Sequence, residues 1–382
     1  MRSLDNIINF LNPAAPKGLI DCAESWVRQQ LKRSDQRAPQ PTAWCKGFAD
    51  AREMIFYDPQ LNSADDYSEL PNLRWTVTPE SKLFYIQGAR VLGTEGTVIS
   101  PDNRVFREFT FPPLGSGWLN HSCFKRRRIP AIKELNGWYA TVTYPTSQFY
   151  FHWMLDSLPR MRLLADYIDL LDGVIVPEGR MVVHEQSLGV LGISPDKLIP
   201  VGPNSHYRVR HLFVPKYFAF YNPPDWLNQW FKQAFLTGAE STTSKQTGKR
   251  IYISRADAGH RRVTNEMEVI AFLQSLDFES FTLTDMPFLD QARLFFEADI
   301  VVAPHGAALA NLVFCRPGAR LLEIFTPTWM PPCFYALARA GRLKYAYMVA
   351  EEWDVSIPTN PQMTNMAIPI ETLKSKLLQI IG

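Results

Sequence analysis

Cysteine is scarce in this sequence of 382 residues, and its spacing matches no common pattern. The five cysteines are odd in number and none are spaced C-x-x-C: Cys22, Cys45, Cys123, Cys315 and Cys333. Such spacing favours neither a disulfide framework nor a zinc site, and it fits a reducing compartment best. Apolar runs long enough to span a bilayer are also missing, and the N-terminal MRSLDNIINFLNP is too polar for a secretory signal. We therefore expect a cytoplasmic protein, with peripheral contact at the inner face of the plasma membrane left open.

Positive and negative charges are also nearly balanced. The formal net charge is +2, which gives no general argument for nucleic acid or for an acidic partner. Hydrophobic residues make up 46% and charged residues 20%, so the chain is globular, and its length allows two domains. The one basic run, residues 125–128, is interpreted as a solvated loop, with contact to an anion or a lipid head group as the alternative.

Several well-characterised catalytic motifs do not occur. The sequence contains no G-x-S-x-G, which argues against a serine hydrolase, and no G-x-x-x-x-G-K-[ST], which argues against a P-loop kinase. The dinucleotide fingerprint G-x-G-x-x-G is missing too. No D-x-D pair is present to hold a metal against a nucleotide diphosphate. We therefore expect no obligatory metal or other cofactor.

The pattern of apolar residues predicts two regions. Short alternating strands are predicted over residues 75–145, and strands alternating with helices over 146–236, so that 1–236 forms an N-terminal region. The polar stretch 237–249 is the best linker. Beyond it, strands and helices alternate over 250–382, which predicts a parallel sheet covered by helices on both faces. The last helix is expected to pack back on the N-terminal region.

Polar residues follow three of the predicted strands in the C-terminal half. Arg255 comes after RIYIS, His305 after DIVVAP, and Glu323 late in RLLEIF. The carboxyl ends of parallel strands form the ligand-binding edge of an open sheet, so we expect these side chains to meet. Gly306 would allow a ligand close to the backbone, and a helix beginning near Ala307 would offer N–H groups to an anion.

These residue types suit a nucleoside diphosphate. The guanidinium fork of Arg255 can bind phosphate oxygens, with Arg261 or Arg262 adding charge. Glu323 would accept hydrogen bonds from two ribose hydroxyls. Each signal has an ordinary alternative: His305 could be a satisfied histidine at a strand end, Gly306 a turn glycine, and Asn311 a residue bonded within its own helix.

A second constellation lies in the N-terminal half. FHWMLDSLPRM places His152 and Asp156 at positions i and i+4, on one face of a predicted helix. An imidazole beside a carboxylate suits general acid–base catalysis. The alternative is an ordinary helix pair with Asp156 exposed, and two residues do not make a zinc site.

Four stretches of the sequence resemble the glycosyltransferase 61 family. They are FHWMLDSLPRM, IYISRADAGHRRVTNE, VVAPHGAALANLVFCRPGA and LLEIF, and they fall within about half of the chain. The third is the most specific. Ala308 departs from the pattern, because many members of the family have a second glycine there.

The resemblance implies a GT-B-like fold, in which two Rossmann-like α/β domains face a cleft, here with an additional β-rich N-terminal region. It implies inverting transfer of a sugar from a nucleotide sugar to a hydroxyl of a glycan or lipid-linked glycan, as in capsular polysaccharide biosynthesis. His152 and Asp156 fall on the acceptor side, with Asp156 as base and His152 either positioning it or serving as base itself. The donor side takes the remaining matches: Arg255, Arg262, His305, Gly306, Ala307, Asn311 and Glu323.

Two other functions stay open. One is a polysaccharide-modifying transferase with a non-nucleotide donor, such as a pyruvyl transferase. The other is a non-catalytic protein that binds a sugar or a nucleotide. Hydrolysis of a donor sugar would exclude the second.

Overall fold

The structure is a computed structural model, and it divides into two compact units. Unit 1 consists of Met1–Ala51 and Pro79–Phe218, and unit 2 of Arg52–Thr78 and Ala219–Gly382. The structure describes residues 15–33, 42–49, 52–53, 77–78, 80–110, 121–125, 128–179, 181–217, 222–236, 248–352 and 363–381.

The strands are numbered in chain order. They are β1 Leu19–Ile20, β2 Ala43–Ala49, β3 Arg52–Glu53, β4 Val77–Thr78, β5 Ser81–Gln87, β6 Arg90–Leu92, β7 Thr97–Ile99, β8 Val105–Phe106, β9 Lys133–Thr141, β10 Gly173–Pro177, β11 Leu198–Val201, β12 His206–Lys216, β13 Lys249–Ile253, β14 Phe278–Phe281, β15 Ala298–Pro304, β16 Arg320–Phe325, β17 Lys344–Val349, β18 Glu351–Glu352 and β19 Met366–Ala367.

The α-helices are α1 Ala23–Arg33, α2 Ser122–Lys125, α3 Tyr150–His152, α4 Arg160–Leu163, α5 Val182–Val190, α6 Leu227–Phe235, α7 Glu266–Gln274, α8 Phe288–Glu297, α9 Cys333–Ala340 and α10 Ile370–Ile381. The 3₁₀-helices are Arg107–Phe109, Ala165–Leu170, Pro195–Lys197 and Ala307–Phe314, and one π-helical turn covers Trp153–Ser157.

Unit 1 is built on one mixed sheet of ten strands. Strands β12, β9, β10 and β11 lie side by side and parallel, while β5 and β6 pair antiparallel with the other edge of β12. Strand β9 comes from the stretch predicted to be β-rich, and β10 from the stretch predicted to be α/β. The two predicted parts of the N-terminal region therefore share one sheet.

The central strands of this sheet are apolar because they are covered. All five residues of β10, GVIVP, are buried, as expected for a parallel strand with two covered faces. On one face, Phe84 and Val214 belong to a core that also contains Trp26 and Val27 of α1. Helix α1 is thereby held on the sheet.

Unit 2 contains a five-stranded sheet in the order β14-β13-β15-β16-β17, and all of its strands are parallel. Alternate residues of β15 point to opposite faces. Ile300 and Val302 pack with Val269 of α7 and Leu373 of α10 in one core. An α/β fold with a parallel sheet and helices is therefore confirmed for this part of the chain.

The other side of unit 2 is rich in phenylalanine. Phe231 and Phe235 of α6 lie edge-on to Phe314 of the 3₁₀-helix, at centroid distances of 5.4 and 6.3 Å, and Phe288 of α8 joins them. Such edge-to-face contacts stabilise the packing beyond the area that they bury. Helix α6 consequently belongs to unit 2.

The two units differ from the regions predicted from the sequence. The sequence predicts that the N-terminal region extends to residue 236 and includes helix α6. In the structure unit 1 ends at Phe218, and helix α6 belongs to unit 2. The last helix, α10, packs on the sheet of unit 2 through Leu373 and Leu377. Most of the predicted linker, residues 237–247, lies outside the described residues, as do two residues of the basic run, 126 and 127.

Candidate active site

The sheet of unit 2 has a topological switch point between β13 and β15. From β13 the chain crosses to β14 on one side, and it then returns to β15 on the other side. Consecutive connections therefore leave the sheet in opposite directions, which opens a crevice at the carboxyl ends of these two strands. Arg255 follows β13 and His305 follows β15, so both lie at this point.

Arg255 is held by the loop that follows it. Its Nε donates to the carbonyl oxygen of Arg261 at 3.0 Å, and its Nη2 donates to that of His260 at 2.8 Å. Burial lowers the pKa of the guanidinium. Among the residues that the structure describes, Arg255 makes no ion pair with a carboxylate. The charges of Asp257 and Glu266 act on it from a distance. A half-buried guanidinium that is not paired directly with a carboxylate favours an anionic ligand.

Gly306 is required by the position of Arg255. A Cβ atom at residue 306 would lie 1.9 Å from Nη1 of Arg255 and 3.1 Å from its Cζ. The backbone of Gly306 is extended, with φ at 179°, so its conformation does not itself demand glycine. The missing side chain instead lets the guanidinium lie directly against the backbone before Ala307.

His305 is fixed by two neighbouring strands. Its Nδ1 lies 2.5 Å from Oε1 of Glu323 on β16, and Tyr345 of β17 donates to Oε2 of the same carboxylate at 2.7 Å. The imidazole stacks on Phe325 at 5.4 Å and lies 5.1 Å from Phe334. Burial lowers the pKa of His305, and the nearby arginines add to this effect while Glu323 opposes it.

Glu323 is not in a position to bind a ribose. Its side chain has no exposed surface, and its two oxygens already accept hydrogen bonds from His305 and Tyr345. The predicted role is therefore corrected: Glu323 orients His305. A carboxylate only accepts hydrogen bonds, so Glu323 holds the hydrogen of the imidazole on Nδ1 and leaves Nε2 as the other polar atom.

The second cation of the crevice is Arg261. It adopts a left-handed backbone conformation with φ at 52°, and burial together with the charge of Arg255 lowers its pKa to about 10. Both arginines also lower the pKa of His305, which places all three in one electrostatic environment. Arg262 is exposed, and its backbone pairs with Asn365 and Met366. Of the two arginines considered from the sequence, the structure therefore places Arg261 in this cluster.

The helix predicted to begin near Ala307 is present, and it is a 3₁₀-helix. Ala307 is exposed at its first position, and Ala308, which replaces the second glycine of the family pattern, is partly exposed. Asn311 is fully buried, and its Nδ2 donates to Gln291 at 3.1 Å and to the carbonyl of Ala308 at 3.0 Å. Asn311 therefore holds the helix against α8 and is not placed to contact a ligand.

His152 and Asp156 form the second pair predicted from the sequence. Nδ1 of His152 lies 2.8 Å from Oδ2 of Asp156, across the junction of α3 with the π-helical turn. The Asp156 side chain has no exposed surface, whereas 22% of the His152 side chain is exposed. Only His152 can reach a substrate hydroxyl, so the geometry favours the second of the two predicted assignments. π-Helical turns occur frequently at functional sites.

Among the side chains that the structure describes, no group of three His, Cys, Asp or Glu residues could hold a metal ion. Within the same residues, no helix is long and apolar enough to cross a membrane.

The part of the chain that is similar to known proteins includes both constellations. Residues 150–322 match the family Glycosyltransferase 61. The match covers 173 of the 382 residues, and over this part the chain is similar to that family. The match contains His152, Asp156, Arg255, Arg261 and both residues of His305–Gly306, and it ends one residue before Glu323.

Two proteins that are similar to the chain carry specific names. Over 213 residues the chain is 28% identical to a β-1,2-xylosyltransferase of Oryza sativa subsp. japonica, an alignment that covers 52% of this chain and 34% of the relative. Over 97 residues it is 31% identical to an EGF domain-specific O-linked N-acetylglucosamine transferase of Drosophila melanogaster, with 25% and 18% covered. The chain thus spans about a third or less of the length of these relatives.

Three residues of these sites were not selected from the sequence. Arg261 was considered beside Arg262, and its left-handed conformation has no local signature. Tyr345 belongs to β17, which was not predicted. Arg160 follows Pro159 in the first family stretch, and only the fold shows what it contacts. The residues that these side chains contact lie far away in the sequence, so no local sequence pattern indicates the contacts.

Proposed function

We propose that this chain is an inverting glycosyltransferase that moves a sugar from a nucleotide-sugar donor to a hydroxyl of a glycan acceptor. Polysaccharide or cell-envelope biosynthesis is the process that we infer for it. One observation carries the proposal: Arg255, Arg261 and His305–Gly306 lie together at the switch point of the unit 2 sheet. The match to the family over residues 150–322 and the two transferase relatives support it.

The donor diphosphate would bind at this switch point. Arg255 and Arg261 supply charge that is already fixed by the fold, so little reorganisation is needed as negative charge develops on the leaving group. Nη1 of Arg255 lies directly against the backbone at Gly306. His305 would add a hydrogen bond through Nε2 once that nitrogen is protonated, and Glu323 would stabilise the imidazolium. No metal is needed in this account, because arginines neutralise the phosphates.

The acceptor hydroxyl would be activated by unit 1. His152 accepts the hydroxyl proton on its exposed nitrogen, and Asp156 stabilises the imidazolium that results. The oxygen attacks the anomeric carbon, the bond from this carbon to the diphosphate breaks, and the configuration inverts. General base catalysis of this kind contributes roughly 10²–10⁴-fold.

The proposal extends to architecture and location. We propose that the two units are the two Rossmann-like domains of a GT-B-like enzyme, with the donor on unit 2. All five cysteines are free thiols, which supports a reducing, cytoplasmic setting. Contact with a membrane surface would bring a lipid-linked acceptor within reach.

A donor screen tests the proposal. Purified protein is incubated with UDP-, GDP- and other nucleotide sugars, with and without glycan acceptors, and the released nucleoside diphosphate is measured. We expect release from one donor, stimulated by acceptor. Turnover of phosphoenolpyruvate would instead support the pyruvyl transferase, and binding of a nucleotide sugar without any turnover would support a non-catalytic binding protein.

Variants in unit 1 test the proton transfer. His152→Gln should lower kcat by at least about 10²-fold and leave the affinity for the donor nucleotide nearly unchanged. Asp156→Asn should act in the same direction, because the neutral amide no longer stabilises the imidazolium. His211→Gln is the matched control, since His211 lies on β12 and its Nδ1 contacts Tyr85. Loss of nucleotide affinity in the His152 variant would contradict the assignment.

A further inference from the structure

Arg160 occupies the switch point of the other unit. In unit 1, β9 lies between β10 and β12, so the carboxyl ends of β9 and β12 are neighbours. The Nη1 of Arg160 donates to the carbonyl of Thr143 at 3.3 Å, just after β9, and Nη2 donates to that of Tyr217 at 3.2 Å, just after β12. Its Nε donates to the carbonyl of Asp156 at 2.9 Å. One guanidinium thus joins both strand ends to the turn that bears the His152–Asp156 pair.

The positive charge of Arg160 is buried. Arg160 is 4% exposed and makes no ion pair with a carboxylate among the described residues, although its Cζ lies 5.4 Å from the ring centroid of Tyr144. Burial lowers its pKa to about 10, and the charge of Asp156 opposes this effect. Packing alone would be served as well by an apolar side chain, since burying a charge is costly. The retained cation therefore has a role toward its neighbours.

We propose that Arg160 is a positioning residue for the transfer reaction, which fixes the His152–Asp156 pair at the ends of β9 and β12 and keeps it unprotonated through its positive charge. The catalytic part of this proposal rests on the proposed function. The electrostatic part is a property of the folded chain and is measurable without any substrate.

The surroundings of the pair support an effect of this charge. Tyr144 and Tyr217 face it from the loops after β9 and β12, and both are neutral because burial raises their pKa. His184 of α5 lies on the other side of Trp153, at a centroid distance of 4.2 Å. Because the tyrosines carry no charge, loss of the Arg160 cation would make proton uptake by the pair easier.

NMR measures this directly. The pH titration of the His152 imidazole is followed in the wild type and in Arg160→Gln, and the signal is assigned by its loss in His152→Gln. We expect the pair to take up its first proton about one pH unit higher in Arg160→Gln, because a nearby cation has been removed. Arg208→Gln is the control: Arg208 is an exposed cation near the start of β12 and pairs with Glu134. An unchanged titration in Arg160→Gln overturns the electrostatic role.

The kinetic measurement separates positioning from simple structural support. The acidic limb of kcat/KM against pH should move upward in Arg160→Gln, whereas loss of structure alone would lower the rate equally at every pH. If Arg160→Gln does not fold, Arg160→Lys carries the test: it bonds fewer carbonyls, so kcat should fall at least about tenfold with donor KM unchanged. Wild-type kcat in Arg160→Lys overturns the positioning role. A wild type that transfers no sugar refutes the proposed function and leaves the NMR result standing.

Discussion

Substitution of Gly306 by alanine tests how closely Arg255 is fitted to the backbone. The new methyl group would lie 1.9 Å from Nη1 of Arg255, so the guanidinium must move by about 1.5 Å to reach an ordinary contact. A free arginine side chain would move at little cost. Here, Nε and Nη2 are bound to the carbonyls of Arg261 and His260, and the movement breaks at least one of these hydrogen bonds.

The expected size of the effect follows from these bonds. A hydrogen bond from a charged group contributes about 1.5–3 kcal/mol, and water can replace part of it, so we expect Gly306→Ala to lower the free energy of unfolding by about 1–3 kcal/mol. Affinity for a nucleoside diphosphate should fall by roughly ten- to a hundredfold, because the displaced guanidinium no longer faces the phosphate. Urea denaturation and titration calorimetry measure the two effects.

Two further variants test whether the effect of Gly306→Ala is steric. Gly259→Ala is the matched control, because a Cβ there meets nothing within 4 Å and its backbone is not left-handed. In the double variant Arg255→Ala/Gly306→Ala the clash disappears, so its stability should equal that of Arg255→Ala alone. If Gly306→Ala lowers stability as much without Arg255 as with it, the steric reasoning is refuted.

Two more predictions concern the His305 network. Tyr345→Phe removes a donor to the buried carboxylate of Glu323 and should lower the free energy of unfolding by about 1–3 kcal/mol in urea; an unchanged midpoint would contradict a shared network. Burial lowers the pKa of His305 in the folded chain, so the unfolded chain binds a proton more tightly at this residue. The contribution of His305 to the free energy of unfolding is therefore fully present above about pH 6.5, and it is lost as the pH falls through the pKa of the folded chain. As the pH falls from about 7.5 to 5, the wild type should therefore lose unfolding free energy relative to His305→Gln. A difference between the two proteins that stays constant with pH would contradict this.

The elements of unit 2 were largely predictable from the sequence. RLLEIF is β16 to the residue, and DIVVA lies within β15, because alternation of strands and helices leaves a strong apolar pattern. The 3₁₀ form of Ala307–Phe314 was not predicted, since its apolar spacing also fits an α-helix. Strand β17 was missed because KYAYMV mixes a charge and two tyrosines with apolar residues.

The sequence predicted which residues of the site lie close together, but it did not predict the contacts between them. The rule for the ends of parallel strands brought Arg255, His305 and Glu323 to one edge, as the structure shows. It could not tell that Glu323 is enclosed, because its partner Tyr345 lies 22 residues further along the chain. Nor could it show that Asp156 is buried beneath His152, since the i and i+4 spacing fixes a helix face but not which residue meets solvent.

The most direct test of the central claim is calorimetric titration of the wild type and of Arg255→Ala with UDP and GDP. We predict that one of these nucleotides binds the wild type and that Arg255→Ala weakens this binding by at least about tenfold, whereas His152→Gln leaves it unchanged. Equal binding by the wild type and Arg255→Ala would contradict it, because the diphosphate would then lie away from the switch point of unit 2.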